Sequence, residues 1–313
     1  MTSVLSAKHF HDEAAAYAFI EARVWPTGPT CPHCGGVERI GKLAGKSTRI
    51  GVYKCYQCRK PFSVKVGTVF ESSHIPLHKW LQAMALMSSS KKGISTNQLW
   101  RILGVSLKAA WFMGHRIREA MRDGALAPMQ GIVEADETYL WDTAQPKISK
   151  GRKGRPYKYA RKGPRNKRAI VSLVERGGSV RSFHVENADK PTVNNIVSHN
   201  IAREARVHTD ESRLYYDVIG HAVAHETVRH SAGEYVRGDV HTNSVEGFFS
   251  IFKRGMKGVY QHCAEKHLHR YLAEFDFRYN ARIALGVNDL ARTDRAIRGI
   301  VGKRLTYRTA RGG

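Results

Sequence analysis

Two pairs of cysteines constrain the fold of the first sixty residues more than any other feature of the chain. Cys31 and Cys34 form one C-x2-C pair, and Cys55 and Cys58 form a second pair after a gap of twenty residues. Each pair can make a tight turn that directs two thiolates at one ion, and two such turns complete a tetrahedron. The spacing predicts a closed structural zinc site that stands in for the core so short a segment lacks. An iron site or redox-active pairs are the alternatives.

The net charge of the chain restricts its partners. The 313 residues contain 51 Lys and Arg against 27 Asp and Glu, which gives +24, while hydrophobic residues make up an ordinary 42%. Such an excess predicts a globular protein with a polyanionic partner, nucleic acid first and an anionic membrane surface second. No apolar run approaches the roughly 20 residues of a spanning helix, and the first residues do not resemble a secretory signal. We therefore expect a cytoplasmic, nucleoid-associated protein without a membrane partner.

The first 126 residues are predicted to hold two modules. An amphipathic segment over 9–23 precedes the cysteine pairs, and together they form an N-terminal helix and zinc ribbon over 1–72. Residues 73–126 are predicted to form three helices over 77–87, 96–103 and 107–121. Ser95 and Ser106 are suited to cap the second and third helices, and Gly104 to end the second. This pattern favours a helix-turn-helix-like DNA-binding region, with a plain helical linker as the alternative.

From residue 127 the pattern changes to strands mixed with helices. Strands are expected over 132–140, 168–175, 180–185, 205–209 and 222–226, and helices over 191–200, 213–219, 243–256 and 265–283. This order predicts a mixed sheet with helices on its faces over 127–285, followed by a basic C-terminal tail over 286–313. The whole chain is thus expected to be an α+β or α/β multidomain protein.

Three acidic residues in this basic chain are candidate metal ligands. Asp136 lies on the first strand of the second half, Asp210 follows the strand around Val207, and Glu246 lies on a predicted helix. Phosphoryl transfer between DNA strands uses two divalent cations about 4 Å apart, and carboxylates from separate elements supply the oxygen ligands that such cations prefer. Taken singly, each acid also fits a structural role, as a surface acid, a helix cap or an ion-pair partner.

Three further residues lie close to Glu246 in sequence. Lys253 lies seven residues later on the same helix face, from which it can reach a DNA backbone near the metals. Asn243 precedes Glu246 by one turn and is a candidate ligand or orienting group. Arg254 is a candidate DNA contact.

These blocks together resemble the transposases of bacterial insertion sequences that combine an N-terminal zinc ribbon with a DDE-type catalytic domain. The resemblance rests on the four cysteines, the block 133–139 around Asp136, His208-Thr-Asp210, and the block 241–255 with Glu246 and Lys253. It covers roughly residues 10–285. It implies a ribonuclease-H-like core, dependence on Mg²⁺ or Mn²⁺, binding to terminal inverted repeats and strand transfer.

The resemblance also assigns catalytic positions. By this resemblance Asp136 and Asp210 are the first two catalytic acids. An Asn can serve as the third member in such relatives, so Asn243 competes with Glu246. We favour Glu246 because a carboxylate binds the second metal better, and retain Asn243 as the alternative. The resemblance further implies a homo-oligomer in a synaptic complex, with double-stranded DNA of the element ends and of the target as partner.

A basic segment is predicted to interrupt the catalytic domain over 143–168. Half of the residues between Lys147 and Arg168 are Lys or Arg, and glycines and prolines rule out a regular element. Electrostatic binding to phosphates is the expected use, and a solvated loop is the alternative. The candidate DNA contacts are Lys150, Arg152, Lys153, Arg155, Lys158, Arg161 and Lys162.

Three functions are compatible with this sequence. A metal-dependent transposase explains why all three acids are present. A non-catalytic regulator using the ribbon and the helix-turn-helix has no need for them. A nuclease that cuts without joining is the third alternative.

Overall fold

The computed structural model describes residues 5–122, 124, 126–142 and 167–306. The chain divides into two compact units. The first contains the residues up to Arg122 together with those from Gly286 onward, and the second contains Asp123–Leu285. No helix in the described part of the chain is long and apolar enough to cross a membrane.

The first unit begins with a helix and a small sheet. Helix α1 (Glu13–Val24) starts at Asp12, whose carboxylate accepts the backbone N–H of Ala15. The antiparallel sheet that follows has the order β1-β2-β3. Its strands are β1 (Ile40–Lys42), β2 (Tyr53–Cys55) and β3 (Pro61–Phe62). Cys55 lies in β2, and the other three cysteines lie in the loops that join these elements, as the zinc-ribbon prediction requires.

The three predicted helices are present with their expected caps. They are α2 (Leu77–Ser89), α3 (Thr96–Leu103) and α4 (Leu107–Ala120). The hydroxyls of Ser95 and Ser106 accept first-turn backbone N–H groups. Gly104 ends α3 in the left-handed conformation with φ +58°, which glycine adopts without steric cost.

Helix α4 is the central helix of this group. From Ala109 onward its residues are buried or half-buried. The guanidinium of Arg116 donates to the backbone carbonyls of Val69, Glu71 and Leu305. The first turn of α4 is well exposed, and α3 exposes much of its outer face.

The structure differs from the basic tail that the sequence predicts over 286–313. Helix α8 (Asp289–Arg298) occupies the middle of this range and packs against α2. The buried Arg292 guanidinium donates to the Ser88 carbonyl at 3.0 Å and to Asp289 at 2.7 Å. Arg292 and Thr293 are buried beside the apolar Ala296 and Ile297, so half of the buried face of α8 is polar and the basic composition of this range does not indicate a packed helix.

The second unit is built on a five-stranded mixed sheet of order β6-β5-β4-β7-β8. Strand β4 pairs antiparallel with β5 and parallel with β7, β6 extends the antiparallel side, and β8 extends the parallel side. This topology is the ribonuclease-H-like core that the resemblance implies. The strands are β4 (Ile132–Asp142), β5 (Lys167–Glu175), β6 (Val180–Val185), β7 (Arg206–Thr209) and β8 (Ala224–Thr227).

Helices cover both faces of this sheet. On one face, α5 (Lys190–Asn200) and a 3-10 helix (Arg213–Gly220) pack over a core that includes Val133 and Val207. On the other face lie α6 (Asn243–Gly255) and α7 (Leu268–Asn280). The phenylalanines of α6 and the apolar side chains of α7 form a core there with Leu140 of β4. Strand β4 therefore turns successive side chains to two different helical layers.

Candidate active site and metal centre

The four cysteines of the ribbon converge on one point. Their sulfur atoms all lie within 4.8 Å of one another. The Sγ atoms of Cys31 and Cys58 are 3.7 Å apart, as are those of Cys34 and Cys55. A zinc ion with Zn–S bonds of about 2.3 Å requires sulfurs about 3.8 Å apart at the corners of a tetrahedron. The four sulfurs thus fit one closed zinc site.

The backbone of both cysteine pairs turns in the same way, and around Cys55 it favours the thiolate. The residue four positions after the first cysteine of each pair has a positive φ, +72° at Gly35 and +62° at Arg59, so both pairs make the same turn. Backbone N–H groups, that of Cys58 first, lower the pKa of the Cys55 thiol to about 7. A deprotonated sulfur is the form that binds the metal.

Asp136 and Asp210 lie level with each other on neighbouring parallel strands. In the register of β4 and β7, Glu134 pairs with His208. Two residues further along each strand are Asp136 and Asp210, which comes directly after β7. The Asp210 carboxylate also accepts the backbone N–H of Ser212 at 2.9 Å. The topology therefore brings the first two candidate acids to the same end of the sheet.

Helix α6 brings Glu246 and Lys253 over this end of the sheet, since it packs against β4 and β5. Burial, the charge of Glu137, and then those of Asp210 and Glu246 raise the pKa of Asp136 to about 8. Burial lowers the pKa of Lys253, while the charge of Asp136 opposes this shift. The field at Asp136 thus combines contributions from β4, the end of β7 and α6.

The remaining predicted residues are placed differently. Asn243 is the exposed first residue of α6, one turn from Glu246. Arg254 is exposed, and its guanidinium donates to the carbonyl and hydroxyl of Ser250 on its own helix. The predicted DNA contacts from Lys150 to Lys162 lie outside the described residues.

Sequence reasoning missed two residues of this site. Glu134 shares the Asp136 side of β4 and is fully buried against the start of α6. The period-two alternation of a strand places Glu134 and Asp136 on one face, and this is the signal that the sequence offers. His230, in the segment between β8 and α6, has its Nε2 atom 3.8 Å from Glu246 Oε1. Nothing in the sequence distinguishes His230 from the other histidines of this region.

The donor set suits hard divalent cations. The carboxylates of Asp136, Asp210 and Glu246 contribute to one electrostatic field, and burial together with the charges of Glu137, Asp210 and Glu246 raises the pKa of Asp136. A bound dication would supply the missing positive charge. Within the described part of the chain, the four cysteines are the only group of three or more such residues whose ligand atoms all lie within 4.8 Å of one another, so the carboxylates are neighbours without converging on one point.

Comparisons with known proteins agree with this architecture. Residues 128–280 match the model of the ISXO2-like transposase domain, and residues 11–61 match that of the transposase zinc-ribbon domain. The chain is 30% identical over 286 residues to an uncharacterized protein in transposable element ISH50 of Halobacterium salinarum, a match that covers 88% of this chain and 93% of that protein. The two family matches coincide with the ribbon and with the five-stranded unit. The chain therefore belongs to the family of transposases that join a zinc ribbon to an ISXO2-like DDE transposase domain.

Proposed function

We propose that this transposase binds the ends of an insertion sequence and catalyses metal-dependent cleavage and transfer of DNA strands. The observation that carries this proposal is the shared field of Asp136, Asp210 and Glu246, which come from three separate elements. A protein that only binds DNA has no use for three mutually repelling acids at one end of its sheet.

Each acid has a role in this proposal. Asp136, Asp210 and Glu246 would hold Mg²⁺ or Mn²⁺, which activates the attacking oxygen and stabilises the leaving oxygen of the scissile phosphate. Because Asp136 holds a proton up to about pH 8, it must release that proton before it can serve as a ligand. Asn243 remains the alternative to Glu246, since it is exposed one turn away on the same helix.

Lys253 would act on the DNA and not on the metals. Its ammonium lies in the field of Asp136 and is half-buried, so it can bind a phosphate oxygen beside the scissile bond. Loss of one such preorganised charge costs about 10²-fold in rate. We therefore expect Lys253→Ala to slow cleavage far more than it weakens DNA binding.

The remaining partners follow from charge and exposure. We assign DNA contacts to the exposed face of α3, the first turn of α4, Arg254 and the basic segment from Lys150 to Lys162. The same proposal includes domain boundaries at residues 72, 126 and 285. It also includes a homo-oligomeric complex on two DNA ends and a cytoplasmic, nucleoid-bound location.

Strand cleavage on DNA that carries the ends of the surrounding element tests the function. Wild type is compared with Asp136→Ala, Asp210→Ala, Glu246→Ala and Asn243→Ala in Mg²⁺, and DNA binding is measured in parallel. We expect cleavage to be lost in the first three variants while binding persists. Activity that survives Asp136→Ala or Asp210→Ala would contradict the proposal, and a wild type that binds without cleaving would favour a regulator. Loss in Asn243→Ala alone would reassign the third position.

A further inference from the structure

A fully buried carboxylate joins the strand of Asp136 to the helix of Glu246. Glu134 lies two residues before Asp136 on β4 and has no solvent-exposed surface. Its Oε1 accepts from Arg176 Nε at 3.0 Å, Arg176 Nη2 at 2.8 Å and Ser244 Oγ at 2.9 Å. Its Oε2 accepts the backbone N–H groups of Ser244 at 2.7 Å and Val245 at 3.1 Å. Five donors occupy the carboxylate, so Glu134 has no capacity left for a metal ion.

Helix α6 depends on this carboxylate for its N-terminal cap. The side chain of Thr242, which precedes the helix, makes no cap bond to its backbone and donates instead to Glu246 Oε1 at 2.8 Å. The first N–H groups of a helix have no partner within the helix. Glu134 accepts two of them from the neighbouring strand, and its negative charge suits the positive end of the helix.

Arg176 holds the chain that enters the helix. This residue follows β5 in the turn to β6. Besides pairing with Glu134, its guanidinium donates to the Asp239 carbonyl at 2.8 Å and lies 3.1 Å from His241 Nδ1. A buried ion pair adds little net stability because both charges lose their hydration. Its directional bonds nevertheless fix the position of α6 on the sheet.

We infer that Glu134, oriented by Arg176, is a positioning residue that sets where α6 presents Glu246 and Lys253 to Asp136. This inference rests on the proposed function. Glu134 and Asp136 lie on the same side of one strand, so a shift of α6 relative to Glu134 changes the separation of Glu246 from Asp136 by a similar amount. Outer contacts that orient metal ligands typically change metal affinity by about 10- to 100-fold when they are removed.

The test measures metal affinity directly. Mn²⁺ binding to the zinc-loaded full chain is followed by calorimetry without DNA for wild type, Glu134→Gln, Ser244→Ala and Asp136→Ala. In Glu134→Gln the amide NH2 must face either Arg176 or the two backbone N–H groups. All of these groups are hydrogen-bond donors, so the bonds on that side of the side chain are lost. Glu226→Gln is the matched control, because Glu226 pairs with Arg206 on the same sheet. Unfolding temperature and metal-free DNA binding are recorded for each variant.

We expect Glu134→Gln to bind Mn²⁺ at least about 10-fold more weakly, to need correspondingly more Mg²⁺ for half-maximal cleavage, and to regain cleavage at saturating Mn²⁺. Glu226→Gln should stay within twofold of wild type. A folded Glu134→Gln with wild-type Mn²⁺ affinity overturns the inference. If Glu134→Gln does not fold, Ser244→Ala provides the test of the positioning role. This substitution removes one of the five hydrogen bonds to Glu134, and the helix is expected to form because alanine favours helical structure. We expect at least threefold weaker Mn²⁺ binding, and unchanged binding overturns the inference.

The same experiment separates this inference from the proposed function. If Asp136→Ala binds Mn²⁺ with wild-type affinity, Asp136 is not a metal ligand, and the proposed catalytic metal site is contradicted. Loss of binding in Asp136→Ala together with unchanged binding in Glu134→Gln would leave the transposase proposal intact and refute the positioning role alone.

Discussion

Asp136 is a half-buried acid whose nearest charged neighbours include other acids. Burial and the charges of Glu137, Asp210 and Glu246 raise its pKa to about 8. The folded protein therefore keeps a proton on Asp136 between about pH 4 and pH 8, where the unfolded chain has released it. This contribution makes the metal-free protein less stable as the pH rises through that interval.

Replacing Asp136 with Asn should remove this pH dependence. We expect metal-free Asp136→Asn to exceed wild type in free energy of unfolding by roughly 1–4 kcal/mol at pH 8 and to match it near pH 4. Urea unfolding of the zinc-loaded protein at both pH values, without Mg²⁺ or Mn²⁺, measures the difference. The same stabilisation at both pH values would contradict the assigned cause.

Asp239 provides a control of opposite sign. The Arg206 guanidinium lowers the pKa of this exposed carboxyl, so its contribution to stability is present above its ordinary pKa and is lost as the pH falls. Asp239→Asn should therefore be no more stable than wild type at pH 8.

At the scale of elements, the turn between α3 and α4 depends on one backbone conformation. Gly104 has φ +58°, and a Cβ added there would meet only Lys79 Nζ, at 3.9 Å. The space is open, so any cost of substitution comes from the left-handed backbone and not from a clash.

Two substitutions at Gly104 separate these causes. Gly104→Ala should lower the free energy of unfolding of the first unit by about 1 kcal/mol. Gly104→Asn should lower it by less, because asparagine tolerates this conformation better. Chemical denaturation of the first unit provides the measurement. An equal loss in both variants would indicate that side-chain crowding, and not φ, sets the cost.

Elements with local signals were predictable from the sequence. Ser95, Gly104 and Ser106 mark the ends of α3 and α4 through local hydrogen bonds, so the bounds of α3 agree with the prediction to the residue. The alternation along β4 likewise placed Glu134 and Asp136 on one side. Helix α8 escaped prediction because its buried Arg292 depends on a carbonyl 204 positions away in the chain.

The candidate site was predictable as a set of acids but not as an arrangement. The order of the strands that makes Asp136 level with Asp210 depends on long-range pairing. The cap that Glu134 provides for α6 joins residues 110 positions apart. Such contacts leave no local pattern, and neither does the approach of His230 to Glu246.

At the scale of the molecule, zinc should support the ribbon and leave the second unit unaffected. Only a small apolar cluster surrounds the cysteines, with Phe62 as its buried aromatic residue, whereas the second unit has two separate cores. Cys55→Ser should bind less than one equivalent of zinc and lose protease resistance over 11–61. His33→Ala, which changes the exposed residue just before Cys34, should retain one equivalent. Zinc content and limited proteolysis measure both, and full zinc in Cys55→Ser would contradict the four-cysteine site.

The charge of +24 should make DNA binding strongly dependent on salt. Each phosphate contact contributes about 0.9 to the slope of log K against log salt for duplex DNA. Replacing Lys150, Arg152, Lys153, Arg155, Lys158, Arg161 and Lys162 with Gln should reduce this slope by several units. Arg254→Gln alone should reduce it by about 1 or less. An unchanged slope in the sevenfold variant, measured by fluorescence anisotropy, would exclude the segment as a phosphate contact.

The return of α8 to the first unit has a consequence for synthesis on the ribosome. Residues 123–285 form an uninterrupted stretch that can fold as soon as it emerges. The first unit must wait for Ile300, whose carbonyl accepts the Val69 N–H, and for Arg292, whose guanidinium reaches Ser88. A chain that stops short of α8 therefore has a carboxylate-bearing second unit that can be complete and a first unit that cannot, so both units are complete only in a product that includes α8.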